Sequence, residues 1–217
     1  MSCVSQPTKR IEFMNSKTPL PDFSEPSKNP ADRTPLPIEY PKDAAYLPKN
    51  LSIRIPFDDQ YKLTNAYGFK SRAWTHRTIA NKKSANDFFA LDIVMPVGTP
   101  IFACADGRIL TSMDRSTIDS YGKYIVIDHG NGFHSIYAHL SKLEFVVNHG
   151  NPKILVKKGQ KIAESGQSGG QPVPHLHFGL HKNAHISQSG CDVGGLTVVP
   201  EPLGDLYGLR AGQMLGK

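Results

Sequence analysis

The chain of 217 residues contains no apolar run of about 18 residues, so no segment reads as a membrane-spanning helix. Cysteine is scarce: Cys3, Cys104 and Cys191 are the whole complement, and without a CxxC pair they build no cysteine zinc knuckle. A helical period of apolar residues nowhere survives beyond two turns, which argues against a helical bundle. HExxH is missing, and with it the helix-borne zinc site whose glutamate serves as base. Acidic residues are the minority, 19 against 25 basic, for a net charge of +6. That excess suits an acidic partner such as a polymer, nucleic acid or a membrane surface, or serves solubility alone; nucleic acid is not the expected partner.

What is plentiful is turn-forming residues, 19 Gly and 17 Pro. Nine of those prolines fall within residues 1–50: Pro7, Pro19, Pro21, Pro26, Pro30, Pro35, Pro37, Pro41 and Pro48. Proline removes backbone donors and breaks both helices and ladders, so this stretch reads as an extended arm or tether. From residue 51 the texture changes. Short β-branched and aromatic runs at 90–94, 107–110, 124–127, 134–138, 153–156, 161–163 and 175–180 alternate with Gly, Asn and Asp turns. The expected fold is mostly β: a folded antiparallel sheet with a loop-walled groove over residues 51–217, preceded by the Pro-rich arm over 1–50.

Start residues Met1-Ser2-Cys3-Val4 carry no apolar signal stretch. Ser2-Cys3 resembles the end of a bacterial lipoprotein cleavage site, so one expectation is an exported protein anchored by lipid on Cys3, with Cys104 and Cys191 left as a disulfide pair. The other is a cytosolic start with plain buried thiols.

His175-Leu176-His177-Phe178 is the sharpest local signal. In a strand, residues two apart share a face, so His175 and His177 project together while Leu176 and Phe178 enter the core. A metal, which takes the neutral imidazole, makes such a pair favourable. Asp92 stands in the apolar run Phe88-Phe89-Ala90-Leu91-Asp92-Ile93-Val94, where an unpartnered carboxylate is costly. It reads as a structural ion pair or as an oxygen ligand. His139, ending Ile136-Tyr137-Ala138-His139-Leu140, is expected on the same face as Tyr137 and becomes a candidate acid or base beside the other histidines.

Taken together, ALDIVMPVGTPIFACADGRI, YGKYIVIDHGNGFHSIYAHLSKL and VKKGQKIAESGQSGGQPVPHLHFGL resemble, in order and spacing, the LytM/lysostaphin-type zinc peptidases, over about residues 90–180. The resemblance implies Zn2+ as cofactor, Asp92 and His177 as metal ligands, and His139 and His175 as catalytic residues. It implies a zinc metalloendopeptidase acting on peptides of bacterial peptidoglycan, in the periplasm or cell envelope, or else a module that keeps the fold and has become an inactive wall binder. The family often carries its first ligand as a His four residues before the Asp, where this chain has Phe88. His76, in a Thr75-His76 pair sixteen residues before Asp92, is the expected replacement; the rival is a two-ligand site with Asn86 or nothing in that place.

Gly166-Gln167-Ser168-Gly169-Gly170 fits the GxSxG pattern of serine hydrolases, yet Gln171-Pro172-Val173-Pro174 cannot start the helix such an elbow requires, so a turn is expected. Residues 156–163 resemble a carrier-domain hairpin without its modified-lysine tip. His129, His134, His149, His181 and His185 read as solvated or structural, and residues 128–132 as a hairpin turn. Residues 51–70, with Asn65 and Tyr67, are expected along one wall of the groove.

Overall fold

A computed structural model describes residues 28–29, 45–66, 87–114, 121–147, 154–186 and 193–217. The described residues contain strands and turns and no helix, so none is long and apolar enough to cross a membrane. The strands are Ala45–Tyr46 (β1), Tyr61–Asn65 (β2), Leu91–Val94 (β3), Pro100–Phe102 (β4), Gly107–Asp114 (β5), Lys123–Asp128 (β6), Phe133–Leu140 (β7), Lys142–Leu143 (β8), Leu155–Val156 (β9), Lys161–Glu164 (β10), His175–Ile186 (β11), Val193–Val199 (β12) and Met214–Leu215 (β13). The main sheet runs β13-β2-β3-β11-β7-β6-β5-β9, with β12 on the far half of β11 and β1 parallel to β12. All other pairings between these strands are antiparallel, and β4-β10-β8 form a second, three-stranded sheet. The mostly β, antiparallel expectation holds.

The sheet is buried on both faces at its centre. Ile125, Ile127, Tyr137, Leu176 and Phe178 go to the larger core, with Leu63, Phe89, Leu91 and Ile93. Tyr124, Val126, Ile136 and Ala138 go to a smaller one on the other face, with Tyr121 and Val193. This is the strict alternation of a pleated strand, and each fully buried Leu, Ile or Phe contributes about 1.5–3 kcal/mol. The hairpin expected at 128–132 forms: Gly130, Asn131 and Gly132 all take positive φ, and Phe133 N donates to Gly130 O at 3.0 Å.

Residues 156 and 161 do not form the carrier-like hairpin. β9 pairs with β5 in the main sheet and β10 with β4 and β8 in the small one, so the turn between them crosses from sheet to sheet. Cys104 is a free, fully buried thiol, which corrects the disulfide expectation; Cys3 and Cys191 lie outside the described residues. Most of the arm does too, but Ala45 and Tyr46 pair with Val198 and Val199.

Candidate active site

β11 is the spine of the site because it lies between β3 and β7. Its register sets His177 opposite Asp92 on one side and opposite Ala138 on the other. Asp92, His177 and Ala138 therefore form one row on the face of the smaller core. Leu91, Phe178 and Tyr137 form the neighbouring row on the opposite face. The expectation for the HxH segment holds, with both histidines nearly as buried as Leu176 and Phe178.

Asp92 is 7% exposed and partnered. Its Oδ1 accepts from His177 Nδ1 at 2.9 Å and lies 3.8 Å from His175 Nε2, while its Oδ2 accepts from Asn65 Nδ2 at 2.9 Å. Asn65, at the end of β2, thus stands in the site as expected; Tyr67 lies outside the described residues.

His139 does not share a face with Tyr137, which corrects the sequence reading. Tyr137 packs on Phe178 at 5.4 Å between ring centroids and accepts a hydrogen bond from Cys104 N. The His139 ring instead lies 4.6 Å from that of His175 and 5.6 Å from that of His177. A left-handed backbone at His139, φ 61°, breaks the alternation and turns the side chain to the other face. Such a conformation is costly for a non-glycine residue and is found where the surroundings enforce it.

Those surroundings are the Gly166–Gly170 turn. His139 Nδ1–H donates to Ser168 O at 3.0 Å. Ser168 Oγ accepts from Lys123 N and donates to Leu140 O, both at 2.8 Å, tying the turn to β6 and β7. His175 N donates to Gly166 O at 3.1 Å. The serine is therefore a clamp in a turn, as expected, and the nucleophile reading fails with the missing helix.

Carbonyl partners fix the tautomers. His139 donates from Nδ1 to Ser168 O and His175 from Nδ1 to Val173 O at 2.9 Å, which leaves Nε2 of each ring for a reacting group. Burial, then the neighbouring His177 and His175, hold His139 neutral, pushing it down to about 3. His177 goes the other way: burial disfavours its cation, but Asp87 and Asp92 outweigh that and raise it to about 10.

Asp87 and His181 were missed by the sequence reading. Asp87 Oδ1 accepts from Tyr121 OH at 2.7 Å and lies 3.5 Å from His177 Nε2 and 3.6 Å from His181 Nε2. Burial alone would raise its carboxyl, but His177 and His181 pull it well below the usual range. Parity offered a signal for His181, which is on β11 an even number of residues from His177 and so shares its face. No comparable signal marked Asp87, which opens the turn before β3.

Asp92 Oδ1 and His177 Nδ1 are the hard oxygen and borderline nitrogen donors that zinc accepts. The proton now shared by these two atoms is one that a divalent cation would displace. Among the described residues no group of three or more His, Cys, Asp or Glu side chains is arranged to hold a metal ion. Two donors therefore fit, and a third must come from elsewhere. His76 and Asn86 lie outside the described residues. Phe88 is no substitute, being 3% exposed in the larger core with its ring edge-on to Phe89 at 4.9 Å.

Comparison with known proteins extends this reading. Over 95 residues the chain is 38% identical to the peptidoglycan DD-endopeptidase ShyA of Vibrio cholerae, covering 41% of this chain and 19% of that protein. It is 33% identical over 132 residues to an uncharacterized metalloprotease of Buchnera aphidicola, covering 60% and 31%. The chain thus spans less than a third of the length of these curated relatives. A crystal structure of a zinc-containing peptidase from Vibrio cholerae aligns with a TM-score of 0.48 at 26% identity, over 61% of this chain and 37% of that one. Residues 89–188, which contain Asp92, His139, His175 and His177, match the model of peptidase family M23.

Proposed function

We propose that the protein is a zinc metalloendopeptidase that hydrolyses peptide bonds in the stem peptides or cross-bridges of bacterial peptidoglycan. The observation that carries this reading is the convergence of Asp92, His139, His175 and His177 from three strands onto one face, with two imidazoles presenting Nε2 beside a carboxylate–imidazole pair. The match to family M23 and the DD-endopeptidase relatives support the substrate class.

In this reading Asp92 and His177 hold the metal, with His76 as third ligand. Bound zinc supplies Lewis-acid polarisation of the scissile carbonyl and makes water a stronger nucleophile near neutral pH. The remaining work belongs to the histidines. His139, kept neutral by burial, accepts the proton of the attacking water at Nε2 and returns it to the leaving amine. Ser168 O keeps the acid–base nitrogen fixed by holding the Nδ1 proton. His175, similarly held by Val173 O, presents its Nε2 to the developing oxyanion, which it stabilises in the protonated state. Asn65 steadies Asp92 through Oδ2 and leaves Oδ1 to the metal side.

Such a substrate places the protein in the periplasm or cell envelope, with Cys3 proposed as a lipid anchor and residues 1–50 as the tether. Mass spectrometry of the envelope-extracted protein tests the anchor: an unmodified Cys3 removes it. The activity is tested by digesting purified sacculi with the wild type, His139→Ala and His177→Ala, alongside zinc analysis. New muropeptides from the wild type alone are expected, with zinc lost in His177→Ala and retained in His139→Ala. A wild-type protein that contains zinc and releases nothing refutes the substrate assignment. Full zinc content and rate in His76→Ala refutes the third ligand.

A further inference from the structure

We propose that Asp87 is a positioning residue for His177: its carboxylate selects the tautomer that presents Nδ1, not Nε2, to the metal. The inference rests on the reading of His177 as a metal ligand. Two carboxylates face this one ring from opposite nitrogens, Asp92 Oδ1 at 2.9 Å from Nδ1 and Asp87 Oδ1 at 3.5 Å from Nε2. A neutral imidazole carries a proton on one nitrogen and a lone pair on the other. Asp87 can only accept, so it favours the proton on Nε2 and thereby leaves the lone pair on Nδ1, beside Asp92. Carboxylates that accept from the outer nitrogen of a ligating histidine fix its orientation in just this way and raise its basicity.

Asp87 is itself held for the task. Its backbone carbonyl accepts from Ala90 N at 2.9 Å, closing the turn that leads into β3. Its side chain is 12% exposed, and Tyr121 OH donates to the same Oδ1 at 2.7 Å. His181, sharing the His177 face of β11, lies 3.6 Å from that oxygen and braces it from the third side. At 3.5 Å the contact to His177 Nε2 is an ion-pair distance, longer than a well-formed hydrogen bond. The placement also separates Asp87 from the ligands. It meets the nitrogen on the far side of the ring, so it does not share with Asp92 a cation held at Nδ1.

The test uses the full chain with Asp87→Ala, Asp87→Asn, Asp87→Glu and Tyr121→Phe beside the ligand variants Asp92→Ala and His177→Ala. Zinc affinity is measured by chelator competition, zinc stoichiometry by elemental analysis, and the His177 tautomer by long-range nitrogen–proton correlation spectra of the zinc-loaded protein. Asp87→Ala is expected to weaken zinc binding about 10- to 100-fold. Its His177 should lose the pure Nε2–H pattern, and Asp87→Glu should recover part of both. Tyr121→Phe should lose less affinity. If Asp87→Ala does not fold, Asp87→Asn and Tyr121→Phe carry the same comparison. Wild-type affinity together with an unchanged His177 tautomer in a folded Asp87 variant overturns the proposal. Loss of one of two bound zinc ions in that variant also overturns it, because Asp87 would then be a ligand. If Asp92→Ala and His177→Ala bind zinc as the wild type does, the metal-site reading itself falls and takes the proposal with it.

Discussion

Gly166 offers the most direct test of how backbone contacts hold the proposed acid–base residues His139 and His175. A Cβ added there would lie 2.4 Å from Ser141 N, 2.7 Å from Leu140 C and 2.8 Å from His139 O. All three atoms are backbone, and carbon contacts settle near 3.5–4.0 Å, so Gly166→Ala must part the turn from the end of β7 by about 1 Å. Overpacking of this kind costs about 1–3 kcal/mol. For a chain of this size each kcal/mol lowers the melting temperature by about 2–4 °C, so a fall of roughly 2–12 °C is expected. The effect on rate should be larger in proportion. The displaced segment carries His139, whose φ of 61° depends on the contact with the turn, and the bridge from Gly166 O to His175 N lies in the same strip. A misplacement of about 1 Å at a reacting group costs on the order of 100-fold. Gly130→Ala is the control. Gly130 also has positive φ, 83°, but nothing lies within 4 Å of its added Cβ, and its hairpin is at the far end of β7. It should lose stability without losing turnover per folded molecule. Calorimetry and sacculus digestion on both variants decide the matter. Gly166→Ala with wild-type melting and wild-type turnover would refute the packing argument.

Other expectations follow from single contacts. Ser168→Ala strands Lys123 N and Leu140 O together and should cost about 1–3 kcal/mol, read from denaturant midpoints. Phe88→Ala should cost about 3–5 kcal/mol through the cavity it leaves, while Phe88→His, placed in the core, should give no gain in zinc affinity by chelator competition. Burial lowers both His129 and His134, so the unfolded chain binds more protons than the folded one below the ordinary histidine range. Stability is thus fully present above about pH 6.5 and falls as pH drops below it. His129, which meets Asp106 O and Ser135 Oγ with Asp128, His134 and Cys104 nearby, should supply a share of that slope, so His129→Asn should flatten the change in denaturant midpoint between neutral and mildly acidic buffer. Burial raises the Cys104 thiol to about 11, so with Cys3 and Cys191 replaced by Ser the native protein should resist thiol reagents until it unfolds.

Short apolar runs between turn residues made the centre of the fold legible. β6 and β7 are rich in β-branched and aromatic residues, the first half of β11 places Leu176, Phe178 and Leu180 at every second position, and all three lie where expected. The strands that escaped lack that mark. β2 reads Tyr-Lys-Leu-Thr-Asn and is half polar, β12 opens with Val193-Gly194-Gly195, and β4 is three residues beginning at a proline. The run expected at 175–180 continues as a strand to Ile186, where the polar residues Asn183 and His185 are its exposed positions and β12 is its partner. Charge in an apolar run marked Asp92 as a carboxylate in need of partners, and His177 and Asn65 supply them.

The same rule explains why His139 could be named from sequence but not placed. Period-two parity puts Asp92, His177 and Ala138 in one row across three strands, and it equally puts residue 139 with Tyr137 on the wrong face. A site that draws histidines from two adjacent strands at neighbouring registers therefore has to break the pleat once. The break falls at His139 itself, where β7 ends, and not inside β11, where it would have separated His175 from His177. The cost of the left-handed residue, about 1–3 kcal/mol, is offset by bonds that only this geometry permits: His139 N to Tyr121 O at 2.9 Å and His139 Nδ1 to Ser168 O at 3.0 Å. None of those partners is near His139 in sequence. The strained residue is thus held by loops from both sides, while the regular strand between them keeps the carboxylate and the HxH pair in register.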